Sequence, residues 1–299
     1  MTLCHVSVMT KAIFSSFDDF SLDSVGSEAE LIPLMTSEDE EALEKEELPD
    51  VVPLLPVKNT VLFPGVVIPI TVGRDKSIQL IKDANKSKNP IGVVAQKDKK
   101  VEDPTINDLY EMGTVAQILR VLKMPDGSTT IIIQGKKRFK IDNLIHTLPY
   151  LKVKISSIIE NKKEKKESEF KLTVESIKET AVKIINENQN IPSEASFAIK
   201  NIQSDSFLIN FVSSNMNLTV NDKQKILGSK NITDRALLCL KYINLEYQKL
   251  ELKNDIQSRV RNDLDQQQRE YYLHQQMKTI QEELGGHTQE EEVEELRKR

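Results

Sequence analysis

The stretch LPVKNTVLFPGVVIPITVGRDKSI, Leu55 to Ile78, decides the fold. It is apolar and β-branched, as a buried strand would be, yet Pro56, Pro64 and Pro69 interrupt it. Proline cannot donate to a strand ladder, so the three divide the run into short extended pieces. Pro64-Gly65 reads as a turn between two apolar strands, and Pro69 as an edge position or a bulge. Gly73 then releases the chain into a helix. Ile78, Leu80, Ile81 and Ala84 give that helix its apolar spacing, after the polar Arg74-Asp75-Lys76. The stretch is strand, turn, strand, helix.

Working outward, strand signals continue to about residue 160. IGVVAQ (91–96) is short, apolar and β-branched. GTVAQILRVL and TTIIIQG flank Asp126-Gly127, a hairpin signature. KRFKIDNLI alternates, with Phe139, Ile141 and Leu144 as inner positions, and YLKVKISSI alternates again. From residue 161 the period changes to that of a helix. Phe170, Val174, Ile177, Ala181 and Ile185 form one apolar face, and Pro192 opens a short helix. Phe207, Leu208, Phe211 and Val212 form another face, and Thr219 with Asp222 three residues on caps a helix through Leu227. A further helix starts at Asn231, with Ala236, Leu237, Leu240 and Ile243 on its apolar side. Between Leu245 and Leu284 there is neither Gly nor Pro, which allows one helix of up to roughly 60 Å. Its apolar residues form two stripes, Ile256-Val260-Leu264 and Leu273-Met277-Ile280-Leu284, around a segment that is polar almost all round. Such a helix bridges domains or packs on another chain. The expected class is therefore α+β: a β-rich lobe at 51–160, a helical bundle at 161–244 and a long helix at 245–285, with the next segment beginning at 286–299.

Residues 1–50 are read as a disordered acidic extension, because SEDEEALEKEELPD cannot bury enough apolar area to offset its ordering entropy. It serves either as a solvating tail or as a docking tail. The 299 residues carry a formal charge of −5, and basic runs such as Lys162–Lys166 are interrupted by acids. The chain as a whole thus has no basic character that would favour nucleic acid or an anionic membrane. Cys4 and Cys239 stand far apart, so no disulfide framework is expected and a cytoplasmic setting is the natural reading. No apolar run approaches the roughly 20 residues that a membrane span needs.

The ten glycines include no pair with the spacing of a phosphate loop, a dinucleotide-binding turn or a nucleophile elbow. His5, His146, His274 and His287 are scattered, which makes metal ligation improbable. Cys239 sits on an apolar helix face beside Leu238 and Leu240, as a packed thiol would. The acids and lysines lie in hydrophilic runs, whereas a catalytic carboxylate or lysine needs burial to shift its pKa. No catalytic residue, metal ligand or cofactor-binding residue is assigned.

Three segments resemble the N-terminal region of the Lon family of ATP-dependent proteases. The first is PLLPVKNTVLFPGVVIPITVGRDKSI, the second NDKQKILGSKNITDRALLCLKYINLEYQKLELKNDIQSRVRNDLD, the third QQQREYYLHQQMKTIQEELGG. Together they cover residues 50 to about 286. The resemblance implies a pseudobarrel lobe, distantly similar to the PUA fold, followed by a helical lobe and the long helix. It further implies that an AAA+ ATPase using ATP and Mg, and a serine-lysine peptidase, lie C-terminal to Gly286. The chain is then expected to hold only the region that engages unfolded or degron-bearing substrates and assists assembly of a homohexamer. Two other readings are a stand-alone protein-binding adaptor and an RNA-binding module. The latter lacks support from 5% aromatics, no Trp and a negative net charge.

Exposed apolar groups are natural contacts for unfolded chains. Leu62, Phe63, Val66 and Val67 are candidate substrate contacts, as are Arg74, Asp75 and Lys76 at the start of the first helix. Tyr271, Tyr272 and Met277 are candidates to face another subunit or the ATPase ring. Packing within the chain is the competing role for Leu62, Phe63, Val66, Val67, Tyr271, Tyr272 and Met277, and a merely solvated first turn for Arg74, Asp75 and Lys76.

Overall fold

The β-branched runs form six strands: β1 (Val51–Val57), β2 (Val67–Val72), β3 (Ile91–Ala95), β4 (Met112–Lys123), β5 (Thr129–His146) and β6 (Lys152–Ser157). Helix α1 (Asp75–Ser87) lies between β2 and β3. The computed structural model describes residues 46–124, 128–158, 167–188, 191–192, 194–283 and 296–298. The extension up to residue 45, the Asp126-Gly127 turn, the Lys162–Lys166 run and Gly285-Gly286 lie outside the described residues.

The strand order is β2-β5-β4-β3-β1-β6, and β5 also pairs with β6. Five strands therefore close into a ring, with β2 added outside on β5. All pairs are antiparallel except β1 with β3. Closure rests on the length of β5, 18 residues. Its first part runs against β4 as far as Lys140, and the part from Phe139 to His146 runs against β6. Phe139 stands at the change of partner, opposite Gly113 on one side and Ser157 on the other.

The ring is filled from all five of its strands. Val52, Leu54, Val94, Val115, Phe139, Val153 and Ile155 form one buried cluster. Phe139 is fully buried, and glycines on two neighbouring strands leave it room. A Cβ at Gly92 would stand 3.0 Å from its ring. At Gly113 a Cβ would stand 2.9 Å from that ring and 2.4 Å from the carbonyl oxygen of Val93.

The prolines find three different settings. Pro69 lies in β2, an edge strand that pairs only with β5 among the described residues. Pro64-Gly65 is a turn in which Gly65 takes φ 77°, the left-handed geometry a glycine tolerates without strain. Pro53 and Pro56, however, lie inside β1 rather than between strands. They fit because β1 changes partner midway. Residues 51–53 pair with β6 and residues 54–57 with β3. The Leu54 N–H points to the carbonyl of Leu151, so by alternation Pro56 faces the same way, away from β3. Its missing N–H costs the ladder nothing.

The helices are α2 (Glu167–Glu187), α3 (Glu194–Asn201), α4 (Asp205–Asn215), α5 (Val220–Gly228) and α6 (Ile232–Glu283). Ser204 caps α4 by accepting from the Phe207 N–H at 3.0 Å, and Thr219 caps α5 by accepting from the Asp222 N–H at 3.2 Å. Sequence patterning separates a helix beginning at Asn231 from a long one beginning near Leu245, but they are one continuous helix. No Gly or Pro breaks the backbone ladder between them.

The chain divides into two compact units, residues 1–247 and 248–299. Within the first, the β-rich and helical parts share their largest apolar cluster. Leu55, Phe63, Ile131 and Ile133 pack in it with Ile177, Phe207, Leu227 and Cys239. Polar ties reinforce the junction. Arg138 donates to the carbonyls of Leu227 and Ser229 at 2.7 and 2.6 Å, and Gln224 to that of Met112 at 2.6 Å. The Arg138 cation thereby serves carbonyls that the end of α5 leaves without intrahelical donors.

Gly113→Ala should destabilise the β-rich part by about 3 kcal/mol or more, because backbone and ring must both move. Gly73→Ala, with nothing within 4 Å of its new methyl, should leave the melting temperature unchanged. Thermal unfolding of the two variants checks the contrast.

Asp222 provides a second test. Its carboxylate accepts from the Thr219 hydroxyl, Lys225 and Tyr242, and these bonds hold its pKa down at about 2. A carboxylate depressed in the folded state stabilises above the ordinary range near 3.8, and that contribution fades as pH falls toward about 2. The site is solvent-screened, so Asp222→Asn should cost about 1 kcal/mol at pH 7. The difference from the parent chain should shrink below pH 4, as melting across that range would show.

Candidate functional site

The proline-rich loop does not present an apolar surface. Leu62, Phe63, Val66 and Val67 are 2, 0, 4 and 9% exposed, so as placed they are packing residues and not contacts for a passing chain. The reason is a set of partners distant in sequence. Thr114 donates its hydroxyl to the Leu62 carbonyl at 2.6 Å, and Asn210 its amide to that of Pro64 at 3.2 Å. Gly65 N–H bonds the Gly135 carbonyl, and Gly135 N–H bonds that of Val66, both at 2.9 Å. The loop is held between β4, β5 and α4.

The polar triplet that follows lies at a cleft. Arg74 is the N-cap residue of α1 and is half-buried, while Asp75 and Lys76 are exposed in the first turn. The Arg74 guanidinium donates to Gln96 Oε1 at 2.8 Å and to the Pro56 carbonyl at 3.4 Å. Burial lowers its pKa, against the opposing pull of Asp103 and Glu102. Lys76 pairs with Asp103 at 2.6 Å across the mouth. Gln96, nearly fully buried, donates its amide to the carbonyls of Asp98 and Val101 and so fixes the loop after β3 as one wall.

The cleft encloses about 170 Å³, on the scale of a single large side chain, between this wall, α1 and the loop from β5 to β6. Leu54, Pro56 and Leu80 contribute apolar floor, and Ile106, Leu144 and Tyr150 apolar walls. Leu144 was expected inside, but it is 40% exposed at the cleft, because β5 has left β4 by that point and curls toward β6. The adjoining loop exposes Leu148 by 72%. Chemically the cleft suits an apolar group accompanied by a hydrogen-bond acceptor. Sequence reasoning found Arg74 and Lys76 but not the walls, whose residues Ile106, Leu144 and Tyr150 come from three separate segments.

The second unit presents a different surface. Tyr271, Tyr272 and Met277 on α6 are 65, 66 and 57% exposed. Leu252, Ile256, Val260 and Leu264, spaced by four, are also more than half exposed. Met277 lies about 100° around the helix axis from Val260, so the apolar stripe changes face along the helix.

Cys239 is fully buried, and burial pushes its thiol up to about 12. Among the described residues, no three His, Cys, Asp or Glu gather as metal ligands, and no helix is long and apolar enough to cross a membrane.

Comparison with known proteins places the chain. The family described as the ATP-dependent protease La (LON) substrate-binding domain matches residues 51–244. The chain belongs to that family. Among its relatives is the Lon protease of Flavobacterium johnsoniae, 61% identical over 94% of this chain and 34% of that protein. The Lon protease of Cytophaga hutchinsonii is 47% identical over 90% of this chain and 33% of the relative. This chain thus spans about a third of the length of these Lon proteases. The N-terminal domain of a Mycobacterium avium complex Lon protease shares the fold, with a TM-score of 0.54 at 21% identity, over 65% of this chain and 98% of that one. The N-terminal Lon region expected from the opening stretch and the QREYYLHQQMKTIQEELGG motif is borne out, as is the α+β class.

Gln96→Ala would leave Arg74 and two carbonyls short of partners, at a cost of about 1–3 kcal/mol. Trypsin should then cut faster at Lys99 and Lys100, which limited proteolysis would reveal.

Proposed function

We propose that this chain engages unfolded or degron-bearing polypeptides for an ATP-dependent Lon-type serine protease. The ATPase, with its ATP and Mg, and the serine-lysine peptidase belong to modules that this chain does not contain. Its own role is non-catalytic. The parent assembly is a cytoplasmic homohexamer, and α6 supplies apolar side chains for that assembly through Tyr271, Tyr272 and Met277. The observation that carries this reading is the family match over residues 51–244, together with relatives that align with nearly the whole chain.

The cleft beside α1 supports it physically. An extended chain could set an apolar side chain on Leu54, Pro56 and Leu80 while its carbonyl accepts from Arg74 or Lys76. Exposed Leu148 adds apolar area at the rim.

The test is binding of unfolded casein by the purified chain, followed by fluorescence anisotropy. Leu144→Glu with Leu148→Glu should weaken binding by about five- to tenfold without lowering the melting temperature, since both side chains are exposed. Unchanged affinity would remove the cleft from the reading; no binding by the parent chain would remove the reading itself. Self-association is tested separately. Tyr271→Ala with Met277→Ala should shift the sedimentation profile toward the monomer and leave the melting of the β-rich part unchanged.

A further inference from the structure

Charge is unevenly divided along this chain. Residues 1–50 contain 13 Asp and Glu against Lys11 and Lys45, a formal −11. Residues 51–158, the β-rich part, contain 17 Lys and Arg against 9 Asp and Glu, a formal +8. The overall −5 conceals this opposition. The densest basic run is KKRFK on β5, residues 136–140. Arg138 turns inward to the end of α5, while Lys140 reaches out to Glu111 at 3.7 Å.

The last residues of the acidic segment show where the two charges meet. Glu46 places its carboxylate 3.2 Å from Lys136 Nζ, and its carbonyl accepts from Lys137 Nζ. The neighbouring residues fix the direction of approach. Leu48 packs against the cluster inside the ring, and the Asp50 carbonyl accepts from the Ile155 N–H at 2.9 Å. The chain from Asp50 back to Glu46 therefore runs along β6 and reaches β5 at its two adjacent lysines. The acids Glu38, Asp39, Glu40, Glu41 and Glu44 come immediately before that seat in sequence.

We propose that the Lys136–Lys137 face of the β-rich part is a docking surface for acidic polypeptide, and that its resident occupant is the acidic stretch Glu38–Glu47 of this same chain. Glu46 is the anchored end of that contact. Tethering gives the stretch an effective concentration of about millimolar, so it holds the face against weakly binding acidic chains in solution. The contact is electrostatic and loosens as salt shortens the screening length. The extension is then an internal competitor, which an acidic polypeptide must displace before it reaches these lysines.

A fluorescent 20-residue polyglutamate, titrated into the full 299-residue chain, tests the proposal. A variant with Glu38→Gln, Asp39→Asn, Glu40→Gln, Glu41→Gln and Glu44→Gln should bind this probe about tenfold more tightly than the parent, because the competitor is gone. Adding Lys136→Gln and Lys137→Gln to that variant should abolish the gain. Equal affinity of parent and neutralised chains would overturn the proposal, as would a gain that survives loss of the two lysines. Single-stranded RNA of equal charge, if it bound the neutralised chain more tightly than polyglutamate, would make this a phosphate-reading face and overturn it too. Zero-length carbodiimide cross-linking gives an independent readout that does not depend on variants. Glu38–Glu44 should link chiefly to Lys136 and Lys137 at low salt. Links spread over lysines in proportion to their exposure would refute the docking.

Discussion

Phe139 is the residue on which the β-rich part depends. One strand must pair with β4 and then with β6 if the ring is to close, and the point of exchange is crowded by both neighbours. An aromatic ring there fills the interior at the one level where five strands converge. It fits only because the facing positions on β3 and β4, Gly92 and Gly113, carry no side chain. Closure, interior packing and the outward curl of the end of β5 are thus one constraint. That curl is also what brings Leu144 and Tyr150 to face α1, so the cleft exists because the ring closes.

The parts legible in the sequence are those fixed by neighbours in the chain. The Pro64-Gly65 turn, the Thr219 cap, the inward Phe139 and the helix after Gly73 each follow from a few adjacent residues. The parts that were not legible depend on long-range partners. Nothing within LPVKNTVLFPG says that its carbonyls will be taken by Thr114 and Asn210, 52 and 146 residues away from their acceptors. The apolar residues of that loop are candidates for the surface with packing as the competing role, and those donors decide for the interior. Likewise, Pro53 and Pro56 look incompatible with a central strand until β1 is seen to pair on one side at a time.

The family resemblance could be read from the ends of the chain, but the candidate site could not. Arg74 and Lys76 announce themselves as a charged start to a helix, while Gln96, which positions Arg74, is inconspicuous in IGVVAQ. Its role appears only when one buried amide is found serving a guanidinium on one side and two loop carbonyls on the other. Buried polar groups of this kind hold a surface loop in place with few apolar contacts.

Pro69 bears on what kind of recognition is open to a member of the Lon substrate-binding family. A sheet margin with all its amides free would be a template for any extended polypeptide, since backbone pairing is indifferent to side chains. With proline at the middle of β2, opposite Ile132, that margin lacks a central donor. Generic strand addition at this margin is therefore interrupted at its centre. The β-rich part is by the same token protected against edge-to-edge pairing through β2, whether with a second copy of itself or with any other extended chain.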